Sequence, residues 1–119
     1  MDEGLRDMAN VDRLIHEPSR LVIVTILYLV ERADFLYLLG ETEMTKGNLS
    51  SHLAKLEVGG YVEEGLSRRE IQKTYRGKVP QTICRLTTTG RAAFRTYRAS
   101  LGRAVYSMHL SRRQRPPES

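Results

Sequence analysis

Residues 45–60 read TKGNLSSHLAKLEVGG, and this stretch decides the fold. Thr45 is an N-cap residue type, with a hydroxyl that can accept a backbone N–H of the first turn. Leu49, Leu53 and Leu56 follow at spacings of four and three, which places them on one stripe of an α-helix. Gly59-Gly60 supplies the residue type that ends helices. With the leucine stripe turned inward, at about 100° per residue, Gly47, Ser51 and Ala54 point outward. Asn48 and Lys55 flank them on one side and Ser50 on the other. Lys46 lies in the first turn, and His52 sits at the edge of the buried stripe, where a packing role outweighs a contact role. The outer face is small and polar, with no acid between Lys46 and Lys55.

Upstream, Asp34 can cap a short helix, FLYLLGETE, in which Phe35, Leu38 and Leu39 share one side. Before it, residues 21–30 (LVIVTILYLV) are apolar on every side and predict a central core helix, capped by Ser19. Ten residues are too few to span a bilayer, which needs about 20. A helical turn over residues 11–17 places Val11, Leu14 and Ile15 on one side, and Pro18 marks its boundary. Residues 1–10 are expected to be a flexible arm. Their acids stand where a secretion signal carries bases, so no targeting segment is expected.

Downstream, residues 61–64 predict a strand and residues 82–86 its partner, with Cys84 facing the core. The polar stretch between them predicts a long hairpin with a basic tip, Lys73, Arg76 and Lys78. Thr87 or Thr88 can cap a last helix running to about residue 110. Its residues Phe94, Tyr97, Leu101, Ala104 and Met108 are spaced three, four, three and four, the seam of a helix lying lengthwise on another helix. Residues 111–119 (SRRQRPPES) have no apolar anchor and predict a disordered basic tail.

With 119 residues the chain is expected to form one domain, residues 11–110, able to bury roughly two-thirds of its unfolded surface. A single cysteine excludes an internal disulfide framework. The formal net charge is +5, unevenly spread. Residues 1–70 hold 13 acids and 8 bases, whereas residues 71–117 hold 11 bases and no acid. A one-sided basic half points to a polyanionic partner, although a solvated basic surface has the same composition. No histidine and cysteine share metal-ligand spacing, no glycine-rich loop follows a strand, and no catalytic residues group together. The reading is therefore not an enzyme, with no cofactor and no metal.

The fold class that follows is mainly α with a small β-hairpin: a three-helix core, a two-stranded wing and a long C-terminal helix of residues 88–110. A short helix, a tight turn near Met44 and a helix with a polar face make a helix-turn-helix. A major groove of duplex DNA admits one such helix, whose N-terminal residues reach base edges. Asn48 suits adenine, and Lys46 and Lys55 suit guanine or phosphate. A protein–protein module on the same fold and a non-specific architectural DNA binder are the alternatives. RNA binding fits less well, because aromatic stacking platforms are missing.

The stretch ADFLYLLGETEMTKGNLSSHLAKLEVGGYVE, with KTYRGKVPQTICRLTTTGRAAF after it, resembles winged-helix transcriptional regulators related to the MarR and ArsR groups. TKGNLSSHL and LTTTGR together carry the likeness to a compact bacterial and archaeal subfamily, over residues 12–97. The resemblance implies a cytoplasmic homodimer acting on partly palindromic operators; the function expected is that of a repressor, with no membrane partner and an unknown effector. Its recognition helix falls on residues 45–59, with Thr45, Lys46, Gly47, Asn48, Ser50, Ser51 and Lys55 as contacts. Its wing falls on residues 67–82, and terminal helices build its dimer interface, here Phe94, Tyr97, Leu101, Val105 and Met108. Glu63, Glu64 and Glu70 restrict the attractive part of the wing to its tip. The thiolate and histidine ligands of metal-sensing ArsR members have no match.

Overall fold

A computed structural model describes residues 12–64, 71–74, 77–80 and 82–114. Helix α1 (Pro18–Val30) is followed by strand β1 (Arg32–Asp34), α2 (Phe35–Thr42), α3 (Lys46–Val58) and β2 (Val62–Glu64). A distal hairpin, β3 (Ile71–Thr74) and β4 (Gly77–Pro80), precedes β5 (Ile83–Leu86) and the long α4 (Thr88–Gln114). β5 lies between β1 and β2, antiparallel to both. The expected pairing of residues 61–64 with residues 82–86 is thus joined by a third strand.

That strand, β1, escapes sequence reading because three residues wedged between two helices show no alternation. Its strand character comes from its partner: Arg32, Ala33 and Asp34 stand opposite Arg85, Cys84 and Ile83. The cap of α1 also differs from expectation. Glu17, not Ser19, is the N-cap, its carboxylate accepting from the Arg20 N–H at 2.8 Å. Pro18 then occupies the first helical position, where its fixed φ suits the helix and its missing N–H costs nothing.

The core joins Ile23, Val24 and Leu27 of α1 to Leu38, Leu49, Leu53, Leu56, Val62, Cys84, Leu86 and Phe94. Leu49, Leu53 and Leu56 are fully buried, as their spacing predicts. Burying each such side chain contributes about 1.5–3 kcal/mol. Contrary to expectation, α1 is not buried on every side. It packs on α2, α3, β5 and α4, yet Val22 and Leu29 remain 45% and 75% exposed. Among the described residues no element covers that side.

Helix α4 runs to Gln114, beyond the expected end near residue 110. Residues 111–114 (SRRQ) contain no helix breaker, and the first proline, Pro116, biases only residue 115 away from helix. The arm of residues 1–10, Arg76 and residues 115–119 lie outside the described residues.

Candidate nucleic-acid interface

Three residues connect α2 to α3. Glu43 closes α2 in the left-handed region, φ 56°, and its N–H donates to the Leu39 carbonyl at 3.1 Å. Thr45 opens α3, its hydroxyl accepting the Asn48 N–H at 3.2 Å. A turn this short fixes the angle between the two helices. At the other end, Gly60 has φ +80°, a conformation glycine adopts without strain. The Tyr61 N–H there returns to the Leu56 carbonyl at 2.9 Å.

Thr45, Lys46, Gly47, Asn48, Ser51 and Lys55 are exposed, and Ser50 is half-buried. They form one continuous outer face. A Cβ on Gly47 would meet nothing within 4 Å, so the first turn is open to an approaching surface. Unpaired first-turn N–H groups and the helix dipole make this end favourable for phosphate. The face can thus offer amide, hydroxyl and ammonium groups to a polyanion, with no acid among them.

His52 is half-buried, and its Nδ1 lies 3.2 Å from Arg20 Nη1 and 3.7 Å from Glu17 Oε2. It joins α3 to the start of α1. Burial raises the Glu17 pKa, but backbone hydrogen bonds from Arg20 and Ser19 and the charges of His52 and Arg20 prevail and lower it.

The turn expected before Pro18 is present, but its role as a strut was not legible in the sequence. The Asp12 carboxylate accepts the Leu14 N–H at 2.9 Å and the Tyr61 hydroxyl. That bond, with burial and the Asp12 charge, raises the Tyr61 pKa to about 12. Arg20 Nε donates to the Leu14 carbonyl at 2.6 Å, and His16 Nδ1 lies 2.8 Å from the Tyr97 hydroxyl. One turn therefore ties α1, the end of α3 and α4 together. Apolar spacing and Pro18 announce the turn, and Asp12 caps it by accepting the Leu14 N–H, but its partners lie far along the chain.

In the wing, Lys73 and Lys78 stand opposite each other in the β3–β4 register. Of the expected interface residues, Phe94 and Tyr97 belong to the chain's own fold. Phe94 packs on Tyr28 with ring centroids 4.8 Å apart, and Tyr97 meets His16. Their spacing announces a helix lying on a helix but not whether the partner is a second chain. Leu101 is half-buried, whereas Val105 and Tyr106 are 66% and 65% exposed. The Met108 side chain lies outside the described residues. Among the described residues no cluster of His, Cys, Asp or Glu is arranged for a metal ion, and no helix is long and apolar enough to cross a membrane.

Comparison with known proteins places this geometry. A protein of Methanocaldococcus jannaschii, itself uncharacterized, is 36% identical over 85 residues, 71% of this chain and 85% of its own length. A transcriptional regulator homologue from Pyrococcus horikoshii superposes with a TM-score of 0.73 at 24% identity, over 89% of this chain and 97% of that one. The YusO protein from Bacillus subtilis superposes with a TM-score of 0.65 at 16% identity, over 92% of this chain and 69% of that one. The model of the winged helix DNA-binding domain family matches residues 19–105. With the capped α3, its acid-free outer face from Lys46 to Lys55 and the hairpin that follows it in place, the chain belongs to the winged helix DNA-binding domain family.

Proposed function

We propose that the chain is a homodimeric, sequence-specific repressor that places α3 in the major groove of double-stranded DNA. The observation that carries this reading is the continuous, exposed, acid-free face of α3 from Lys46 to Lys55. Asn48 and Lys46 read base edges from the first turn, and Lys55 holds phosphate. Lys73, Arg76 and Lys78 of the wing contact the flanking backbone. Dimerisation uses the outer side of α4, where Leu101, Val105 and Tyr106 border one open apolar cleft. A protein–protein module would instead show an apolar α3, yet Val58 is the only large apolar residue exposed on that helix.

The test is selection from a random duplex library at two salt concentrations. An enriched inverted repeat, with half-sites about one helical turn apart or a multiple of it, supports the reading. Salt-sensitive retention without enrichment replaces it with an architectural role. Retention at neither salt overturns DNA binding by the free protein.

A further inference from the structure

Where β1, β5 and the start of α4 meet, the fold gathers three arginines around a cleft that the proposed function does not use. The cleft has a volume of about 280 Å³ and is lined by Glu31, Arg32, Arg85, Leu86 and Arg91. Arg32 and Arg85 are direct cross-strand partners of β1 and β5. They therefore share one face of the sheet, together with Glu63, the partner of Arg85 on β2. Arg91 adds a third cation from the start of α4, beside the positive end of that helix dipole. Its guanidinium sits 5.0 Å from the centroid of the Tyr28 ring, which holds it in place. Glu63 Oε2, 3.7 Å from Arg85 Nε, steadies the second arginine. The chain enters β1 through Glu31 at φ 67° and ψ −43°, a conformation that L residues rarely adopt. Such strain persists where surrounding structure imposes it, and it concentrates at ligand sites.

We propose that this cleft binds a small oxyanion, a carboxylate or a phosphate, between Arg32, Arg85 and Arg91. Planar guanidinium groups suit both anions through paired N–H donors. The cleft adjoins the far end of α3: the hydroxyl of Thr87, next to Leu86, donates to the Gly60 carbonyl at 2.6 Å. A bound anion bridges β5, which continues from the wing, to α4. On the DNA-binding reading, it would adjust the wing against the dimer helix; the binding itself does not depend on that reading.

The experiment titrates the full chain with inorganic phosphate at constant ionic strength, following arginine Nε–Hε signals and the thermal midpoint. Expected are saturable shifts at three arginines and a midpoint that rises to a plateau. Arg32→Gln and Arg91→Gln, each checked for parental circular dichroism, should weaken binding about tenfold or more, the loss of one charge-assisted contact. Their affinity for random duplex DNA and its salt dependence should stay at the parental level. A response no larger than with chloride overturns the proposal, as does parental phosphate affinity in both folded variants. Loss of DNA binding with a shallower salt slope, without saturable phosphate binding, overturns it in favour of a backbone contact.

Discussion

Gly90→Ala sets the helix preference of one residue against a close backbone approach. A Cβ built on Gly90 falls on the Tyr61 carbonyl oxygen and lies 2.9 Å from its carbon and 3.0 Å from Tyr61 Cα. Ordinary contacts begin near 3.4 Å. The obstacle is backbone, and it is held: the same carbonyl accepts the Thr87 N–H at 3.0 Å. Alanine in a helix gains about 1 kcal/mol over glycine. Overpacking costs about 1–3 kcal/mol, and displacing the carbonyl weakens a hydrogen bond worth about 1 kcal/mol. The clash wins by about 2 kcal/mol, and the midpoint should fall by about 8 °C at about 4 °C per kcal/mol. Gly40→Ala is the control. A Cβ there meets nothing within 4 Å, so only the helix preference acts and the midpoint should rise by about 2–4 °C. Thermal and urea unfolding of both variants give the comparison. A Gly90→Ala protein melting at or above the parent would refute the close approach of α4 to the end of α3.

Four further outcomes are expected. Asn48→Ala should relax base preference at one operator position by about 1–3 kcal/mol, whereas Lys78→Ala should weaken all sequences alike and reduce the salt slope by about one; equal losses on operator and random DNA for both would end that division of labour. Val105→Asp, at a 66% exposed site on α4, should leave helicity unchanged and shift sedimentation toward monomer; an unaltered dimer would remove this side of α4 from the interface. Tyr61 should titrate near 12 in the difference in phenolate absorbance between the parent and Tyr61→Phe. Its folded pKa is raised, so the stability it contributes is complete below its ordinary value of 10.0 and lost as pH climbs toward 12; a midpoint at 10.0 would exclude the bond to Asp12. Glu17 has a lowered folded pKa, so its contribution is present above 4.5 and lost on further acidification. Urea midpoints of Glu17→Gln should therefore fall less with acid than those of the parent, and parallel curves would contradict the sign.

The sequence by itself determined the helix-turn-helix. Thr45, the Leu49–Leu53–Leu56 stripe and Gly59-Gly60 act within one helix, and their effects depend only on helical periodicity and backbone capping. Asp34 and Thr87 were legible as caps for the same local reason: each accepts a backbone N–H three residues on. Only the tertiary structure decided what depends on partners far along the chain. β1 is a strand because β5 lies beside it. Phe94 and Tyr97 belong to the chain's own core because Tyr28 and His16 reach them, although their spacing suits a second chain equally well. The cross-strand pairing of Arg32 with Arg85, 53 positions apart, is a matter of sheet register. Local periodicity specifies which side of an element is apolar; only packing specifies what covers it.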